Sequence, residues 1–223
     1  MKKLENKVSI ITGAGSGMGK AISILFATEG SKVVAADINQ ERLDALKKEI
    51  NEKGGEVTTV IANVAIEADV EKMISTATTT YGTLDILVNN AGIMDNFAPV
   101  GEVENAVWER VMKVNVDGPF KAMRSAVKIF LAKKSGVIIN IASIGGIKGG
   151  VAGAAYTTSK HALIGLTKST GYLYSKSGIR CNAISPGAVN TNIAETIDMS
   201  KVTPLVNDRI MTGMALNPRT GEP

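Results

Sequence analysis

The sequence predicts an α/β fold: a doubly wound parallel sheet with helices on both faces. Three observations carry this. Short β-branched runs alternate with helical stretches along the whole chain. The strand candidates are continuous apolar runs, as strands buried on both faces must be. A cluster of glycines stands directly between the first strand and the first helix, at the edge where such sheets bind ligands.

The elements follow in order. A strand at 8–12 leads through the glycines into a helix over about 17–30, and a second strand covers 32–37. Residues 40–53 place Leu43, Leu46 and Ile50 at helical spacing, and Gly54 and Gly55 stop that helix. A third strand at 56–62 precedes a helix over about 67–81, a fourth strand at 85–89 and one long helix over about 105–133. The fifth strand is read at 136–142, a helix at 154–176 and the sixth strand at 178–185. Right-handed crossovers between such units wind the sheet in both directions. No repeat, low-complexity tract or linker interrupts the pattern, so residues 1–223 read as one domain.

Composition narrows the function classes. The 23 glycines are about 10% of the chain, against roughly 7% in average proteins. Aromatics are only 4%, too few for the stacking platforms of a single-strand nucleic-acid binder. The net charge is +4, and the basic residues are spread rather than clustered, so no nucleic-acid stripe forms. One cysteine excludes an intrachain disulfide, and with a single histidine it argues against any metal site. Cys181, among Ile179, Ala183 and Ile184, reads as a buried inert thiol. The N-terminal residues lack the apolar stretch of a secretory signal, and no uncharged run nears the ~20 residues of a membrane span. The expectation is a soluble, cytoplasmic protein that binds neither nucleic acid nor membrane.

The turn Thr12-Gly13-Ala14-Gly15-Ser16-Gly17-Met18-Gly19 points to a dinucleotide. Its glycines allow a tight turn, close approach of a pyrophosphate and close packing of helix on sheet, with the diphosphate at the positive helix end. The rival phosphate motif, the P-loop, fails because Ala14 and Ala21 stand where it needs Gly and Ser or Thr. Asp37 ends the second strand about 20 residues on, where a carboxylate accepts both adenosine ribose hydroxyls. It would repel a 2′-phosphate, and neither Ile38 nor Ser16 offers a cation, so the cofactor is expected to be NAD(H).

A second constellation carries the chemistry. Tyr156 and Lys160 are four apart, on one face of a helix. A phenol of pKa near 10 is a poor base at neutral pH. A nearby ammonium and a positive nicotinamide ring would stabilise the phenolate. Ser143 follows a strand's C-terminal end, where its hydroxyl can bond a substrate oxygen and hold it for transfer.

These pieces occur together with Asn89-Asn90-Ala91-Gly92, Asn115 and Pro186-Gly187-x-Val189-x-Thr191, in an order that resembles the short-chain dehydrogenase/reductase family of the classical type, from Val8 to about Thr191. The resemblance implies a Rossmann fold and four catalytic positions. Tyr156 would be the general acid/base and Ser143 would orient and polarise the substrate oxygen. Lys160 would lower the tyrosine pKa and hold the nicotinamide ribose, and Asn115 would position a water that links Lys160 to solvent. It also implies that Asn89 ties the central strand to neighbouring backbone, and that Asn90, Ala91 and Gly92 wall the adenosine ribose. Pro186, Gly187, Val189 and Thr191 would fix the nicotinamide carboxamide. One position departs from the family: Asn63 stands before Val64 where many relatives carry Asp, which weakens an adenine contact without removing it. His161, next to Lys160, faces another side of the helix, and Trp108 and the methionines read as packing.

The expected reaction interconverts a secondary alcohol and a ketone by hydride transfer. Ile93, Met94, Asp95, Phe97, Ile144, Ile147, Val151 and Ile193 are expected to line a pocket for a small uncharged alcohol or ketone, under a lid at about 190–213. The alternatives are a 3-oxoacyl thioester reductase of the same family and a non-catalytic NAD(H)-binding regulator. The resemblance implies a homotetramer, with Leu163, Leu166, Leu173 and Tyr174 as surplus apolar surface. Residues 214–223 look like the family segment leading into a further helix and a seventh strand, roughly 25–30 residues that this sequence lacks. The natural polypeptide is therefore expected to continue beyond Pro223, since otherwise Ile179, Cys181 and Ile184 would lie on an open sheet edge.

Overall fold

Six runs form the sheet: β1 (Val8–Thr12), β2 (Lys32–Asp37), β3 (Glu56–Ile61), β4 (Ile86–Asn89), β5 (Gly136–Ile141) and β6 (Ile179–Ile184). All neighbours are parallel, in the order β3-β2-β1-β4-β5-β6. The order reverses between β1 and β4, which opens a crevice at their C-terminal ends. The structure, a computed structural model, describes residues 2–206, 208–209 and 220–223. The lid residues 207 and 210–213, and residues 214–219 of the segment expected to lead into a further helix, lie outside the described residues.

Alternation along the strands makes two cores. Ile10 and its register neighbours Val34 and Leu87 enter one; Ile11, Ala35 and Val88 enter the other. The first core is covered by α3 (Glu67–Tyr81) and α5 (Gly118–Lys133), the second by α1 (Gly17–Thr28) and α2 (Gln40–Glu52). Asn39 caps α2 by accepting from Arg42 N at 2.9 Å, and Gly82 closes α3 in the left-handed conformation.

The long helix expected over 105–133 is interrupted. It divides into α4 (Asn105–Met112), a π-helical turn (Lys113–Asp117) and α5. Pro119 explains where: it has no N–H to give the carbonyl four residues back, that of Asn115, so the α ladder cannot run through this point. The turn brings Asn115 to full burial.

The last long helix, α6 (Ala154–Leu173), stops earlier than expected and passes through a 3-10 turn (Ser175–Ser177) to left-handed Gly178. A Cβ at Gly178 would stand 2.1 Å from Lys134 O. The surplus apolar surface on α6 is also smaller than expected. Leu163 is core, Leu166 and Tyr174 pack against it, and Leu173, with Tyr172, is exposed. On β6, Ile184 is exposed but Ile179 is buried, because α6 and the β5 side cover the strand's start.

At the opposite end of the strands from the crevice, Asp85 receives an ion pair from Lys133 and a hydrogen bond from Val8 N at 2.9 Å. Lys133 Nζ also donates to Leu84 O at 2.9 Å. Among the described residues, no helix is long and apolar enough to cross a membrane.

Candidate active site

The glycine turn folds as its sequence demands. Gly13 and Gly17 have φ of +63° and +48°, open to glycine at little cost. At Gly19, a Cβ would lie 2.0 Å from Gly13 O, so α1 can approach the turn only with glycine there. Two neighbouring strand ends lock the turn. Asn90 Nδ2 donates to Thr12 O at 2.9 Å and Gly13 O at 3.2 Å, while Thr12 Oγ1 accepts from Asn90 N and Ala91 N. Tying β4 to neighbouring backbone is thus the work of Asn90. Asn89, expected in that role, instead donates to the Asn140 side chain at 2.8 Å, because its side chain points into the buried layer between β4 and β5.

Asp37 stands at the tip of β2, as expected. Its Oδ2 accepts from Gly15 N at 2.8 Å and its Oδ1 from Asn39 N at 3.0 Å, which orients the carboxylate beside the turn. Arg42 belongs to the same wall, although sequence reading found no cation there. A Cβ on Gly15 would meet Arg42 Cβ at 2.9 Å and Asp37 Oδ2 at 3.0 Å. The Arg42 guanidinium pairs with Glu195 across the crevice at 3.0 Å. The usable signal was its place in the first turn of the helix that follows Asp37.

The crevice is a cleft of about 610 Å³. Its walls include Gly13, Ser16, Gly17 and Met18 of the turn, Asp37 and Ile38 of β2 and Asn63 and Val64 after β3, with Asn90, Ala91 and Gly92 after β4. Thr12, Gly15 and Gly19 support the turn from behind. From the 186–191 segment, Thr191 reaches the cleft, while Pro186 accepts through its carbonyl from Ile144 N at 3.0 Å and Val189 bridges to Gly221. Asn63 Oδ1, expected to face adenine, already accepts from Ala65 N at 3.0 Å, so an adenine contact would share that oxygen's second lone pair. A long cleft with a glycine turn at its middle and a fixed carboxylate at one end fits a dinucleotide.

The chemical group lies behind Gly92 of the cleft wall. Tyr156 and Lys160 are both buried on α6, with Lys160 Nζ 5.5 Å from the phenol ring centre. Lys160 Nζ donates to Ile141 O at 2.9 Å, and burial pushes its pKa down to about 8. Burial raises the Tyr156 pKa; a hydrogen bond with the Ser143 side chain works against this, and the Asp95 charge adds to it. The lowering by Lys160 that the resemblance implies is therefore not expressed in the protein alone, where burial dominates. A Cβ on Gly92 would lie 3.4 Å from both Lys160 Nζ and Asn115 Oδ1, which shows how closely the cleft approaches this group.

Asn115 is clamped on three sides. Its Oδ1 accepts from Ile93 N at 2.9 Å, and its Nδ2 donates to Ile93 O at 2.9 Å and to Ser159 Oγ at 3.0 Å. His161 is exposed, and its Nδ1 meets the Thr157 carbonyl, away from the site. Burial pushes the Cys181 thiol up to about 12.

Two residues expected to line the substrate pocket do not. Asp95 is fully buried and accepts from the backbone at the start of α6, and Phe97 packs with Val206 in a small apolar cluster. A hydrophobicity pattern could not tell a loop carboxylate that caps a distant helix from one that faces a pocket.

Fold and crevice define a doubly wound α/β protein with a cleft that fits a dinucleotide, and its relatives sharpen this. The family model described as short chain dehydrogenase matches residues 7–201. A 3beta-hydroxysteroid dehydrogenase 2 of Eggerthella lenta is 44% identical over 221 residues, covering 99% of this chain and 84% of the relative. The crystal structure of levodione reductase superposes with a TM-score of 0.89 at 35% identity, covering 99% of this chain and 87% of that one. A 3-ketoacyl-(acyl-carrier-protein) reductase from Brucella melitensis complexed with NADH gives 0.82 at 31% identity, covering 92% and 83%. The chain belongs to the short-chain dehydrogenase/reductase family and is an oxidoreductase.

Proposed function

We propose that the protein is an NAD(H)-dependent oxidoreductase that interconverts a small, uncharged secondary alcohol and its ketone, with Tyr156 as general acid/base. The observation that carries this is the buried Tyr156, with Ser143 beside it and Lys160 Nζ 5.5 Å from its ring centre, next to a cleft whose walls include Asp37 and Gly92.

When bound, the nicotinamide donates or accepts the hydride. In ketone reduction the Tyr156 hydroxyl gives its proton to the carbonyl oxygen as negative charge develops there. The raised pKa keeps that proton in place at neutral pH. Ser143 donates to the same oxygen and holds the carbonyl in line. The Lys160 ammonium, a cation at pH 7, stabilises the phenolate left behind and would hold the nicotinamide ribose. In the alcohol direction the same groups act in reverse. Asn115, held by Ile93 and Ser159, supports the water through which the proton leaves.

NAD(H) rather than NADP(H) is supported by Asp37, whose carboxylate, oriented by Gly15 N and Asn39 N, would accept from the ribose hydroxyls and repel a 2′-phosphate. Arg42, the nearby cation, is already paired with Glu195. The apolar side chains of Ile93 and Ile193 on the cleft wall favour an uncharged substrate. Self-association as a homotetramer is supported by Tyr172 and Leu173 on α6 and Phe120 and Leu131 on α5, all large and exposed. Light scattering at micromolar concentration tests it, and a monomer would contradict it.

The reaction is tested with NADH and NADPH on a panel of ketones, including cyclic, steroidal and 3-oxoacyl thioester compounds, and with NAD on the matching alcohols. Turnover with NADH that Tyr156→Phe abolishes, at unchanged NADH affinity, is the expected result. Tight NADH binding without turnover on any compound would favour a non-catalytic regulator.

A further inference from the structure

We infer that Asp95, which no part of the family pattern above assigns, is a positioning residue for Tyr156: it holds the start of α6 in place and links it to the lid. The inference rests on the reading of Tyr156 as the proton-transfer group.

The helix that carries Tyr156 begins at Gly153, which has no side chain with which to cap it. Asp95 supplies the cap from elsewhere in the chain. Its Oδ1 accepts from Gly153 N at 3.2 Å and its Oδ2 from Tyr156 N at 2.8 Å. These are N–H groups that a first helical turn leaves without helical partners. The next residue is served by the same segment, since Ala154 N donates to Ala98 O at 2.9 Å. A third bond, from Phe97 N to Oδ1 at 3.0 Å, bends the segment back on itself and holds Phe97 at φ +59°, a left-handed conformation that a side chain adopts only under constraint. A Cβ on Gly153 would lie 2.5 Å from Asp95 Oδ2, so glycine at that position and the carboxylate fit each other. Asp95 is 0% exposed. A buried carboxylate is expensive unless several donors and a helix N-terminus compensate it, and here they do.

The flanking residues face the lid. Met94 N donates to Thr196 Oγ1 at 2.8 Å, and Asn96 Oδ1 accepts from Asp198 N at 2.9 Å. Residues 94–98 therefore form one strap, with 94 and 96 bound to the lid and 95 bound to α6. A displacement of about 1 Å at a reacting group is enough to cost on the order of a hundredfold in rate. The charged groups set against Tyr156 are Asp95 from this strap and Lys160 from its own helix, with the Ser143 hydroxyl from the segment after β5. Asp95 thus also adds to the larger effect of burial in raising the phenol pKa, because a negative charge nearby opposes a second one.

The experiment compares wild type, Tyr156→Phe, Asp95→Asn and Asp95→Glu on the best alcohol of the panel, with NADH affinity read by fluorescence. For Asp95→Asn we expect kcat to fall about tenfold or more, the acid-side limb of the alcohol-oxidation profile, where the Tyr156 base loses its proton, to move to lower pH, and NADH affinity to stay within about twofold. Wild-type kcat with an unmoved limb overturns the inference, as does a loss of kcat matched by an equal loss of NADH affinity. If Asp95→Asn does not fold, Asp95→Glu decides: a lowered kcat at unchanged NADH affinity supports the role, and wild-type kcat overturns it. Full turnover in Tyr156→Phe would instead overturn the reading of Tyr156 itself.

Discussion

Asn115 Nδ2 donates to Ser159 Oγ at 3.0 Å, and that hydroxyl donates in turn to Tyr156 O at 2.7 Å. The π-turn between α4 and α5 is thereby tied to the helix of Tyr156 and Lys160 through one buried serine. Replacing Asn115 by Ala leaves Ser159 Oγ and both backbone groups of Ile93 without this partner. We expect about 2 kcal/mol of lost stability in urea denaturation, together with a fall in kcat that exceeds any change in NADH affinity.

Asp37→Ala removes the acceptor of Gly15 N and Asn39 N and the negative charge that would repel a 2′-phosphate. NADH affinity should fall, and the ratio of kcat/KM with NADH to that with NADPH should drop by about tenfold or more. An unchanged ratio would show that Asp37 does not choose the cofactor.

Lys160 yields a pH-dependent stability. Its pKa in the folded chain is about 8, against an ordinary 10.5. Between these values the unfolded chain binds more protons, so the Lys160 contribution to stability rises with pH across that window and is least favourable below pH 8. The full gap is worth roughly 3 kcal/mol. Lys160→Met removes this dependence at the cost of the bond to Ile141 O. Relative to wild type, the variant should therefore lose about 3 kcal/mol of stability between pH 7 and pH 10.5. Urea midpoints at the two pH values check this, and parallel curves would contradict it.

Asp85→Ala is expected to separate stability from function. It leaves the Lys133 ammonium and Val8 N without their carboxylate at the base of β1, β4 and β5. A loss of roughly 3 kcal/mol is expected from breaking a largely buried pair. NADH affinity, measured below the melting range, should be unchanged because the cleft lies at the other end of the strands.

The parallel sheet, the glycine turn and Asp37 were all legible in the chain, because each rests on local rules. Short apolar, β-branched runs that alternate with helical spacing read as buried parallel strands, and a glycine-rich turn between strand and helix is a local signal of its own. Tyr156 and Lys160 were legible for the same reason, since a spacing of four fixes one helix face. What lay beyond reach were contacts between residues far apart in sequence. The π-turn at Asn115 replaced an unbroken helix because Pro119 removes one ladder donor, a local cue whose outcome depends on the buried partners Ile93 and Ser159. The role of Asp95 depends on Gly153 and Tyr156, 58 and 61 residues away. The ion pair of Arg42 with Glu195 spans 153 residues. Sequence by itself determined the periodic elements and the side chains that share a face within them. Tertiary structure alone decided which buried donors and charges meet, because hydrogen bonds and desolvation act over a few ångströms of space, whatever the separation along the chain.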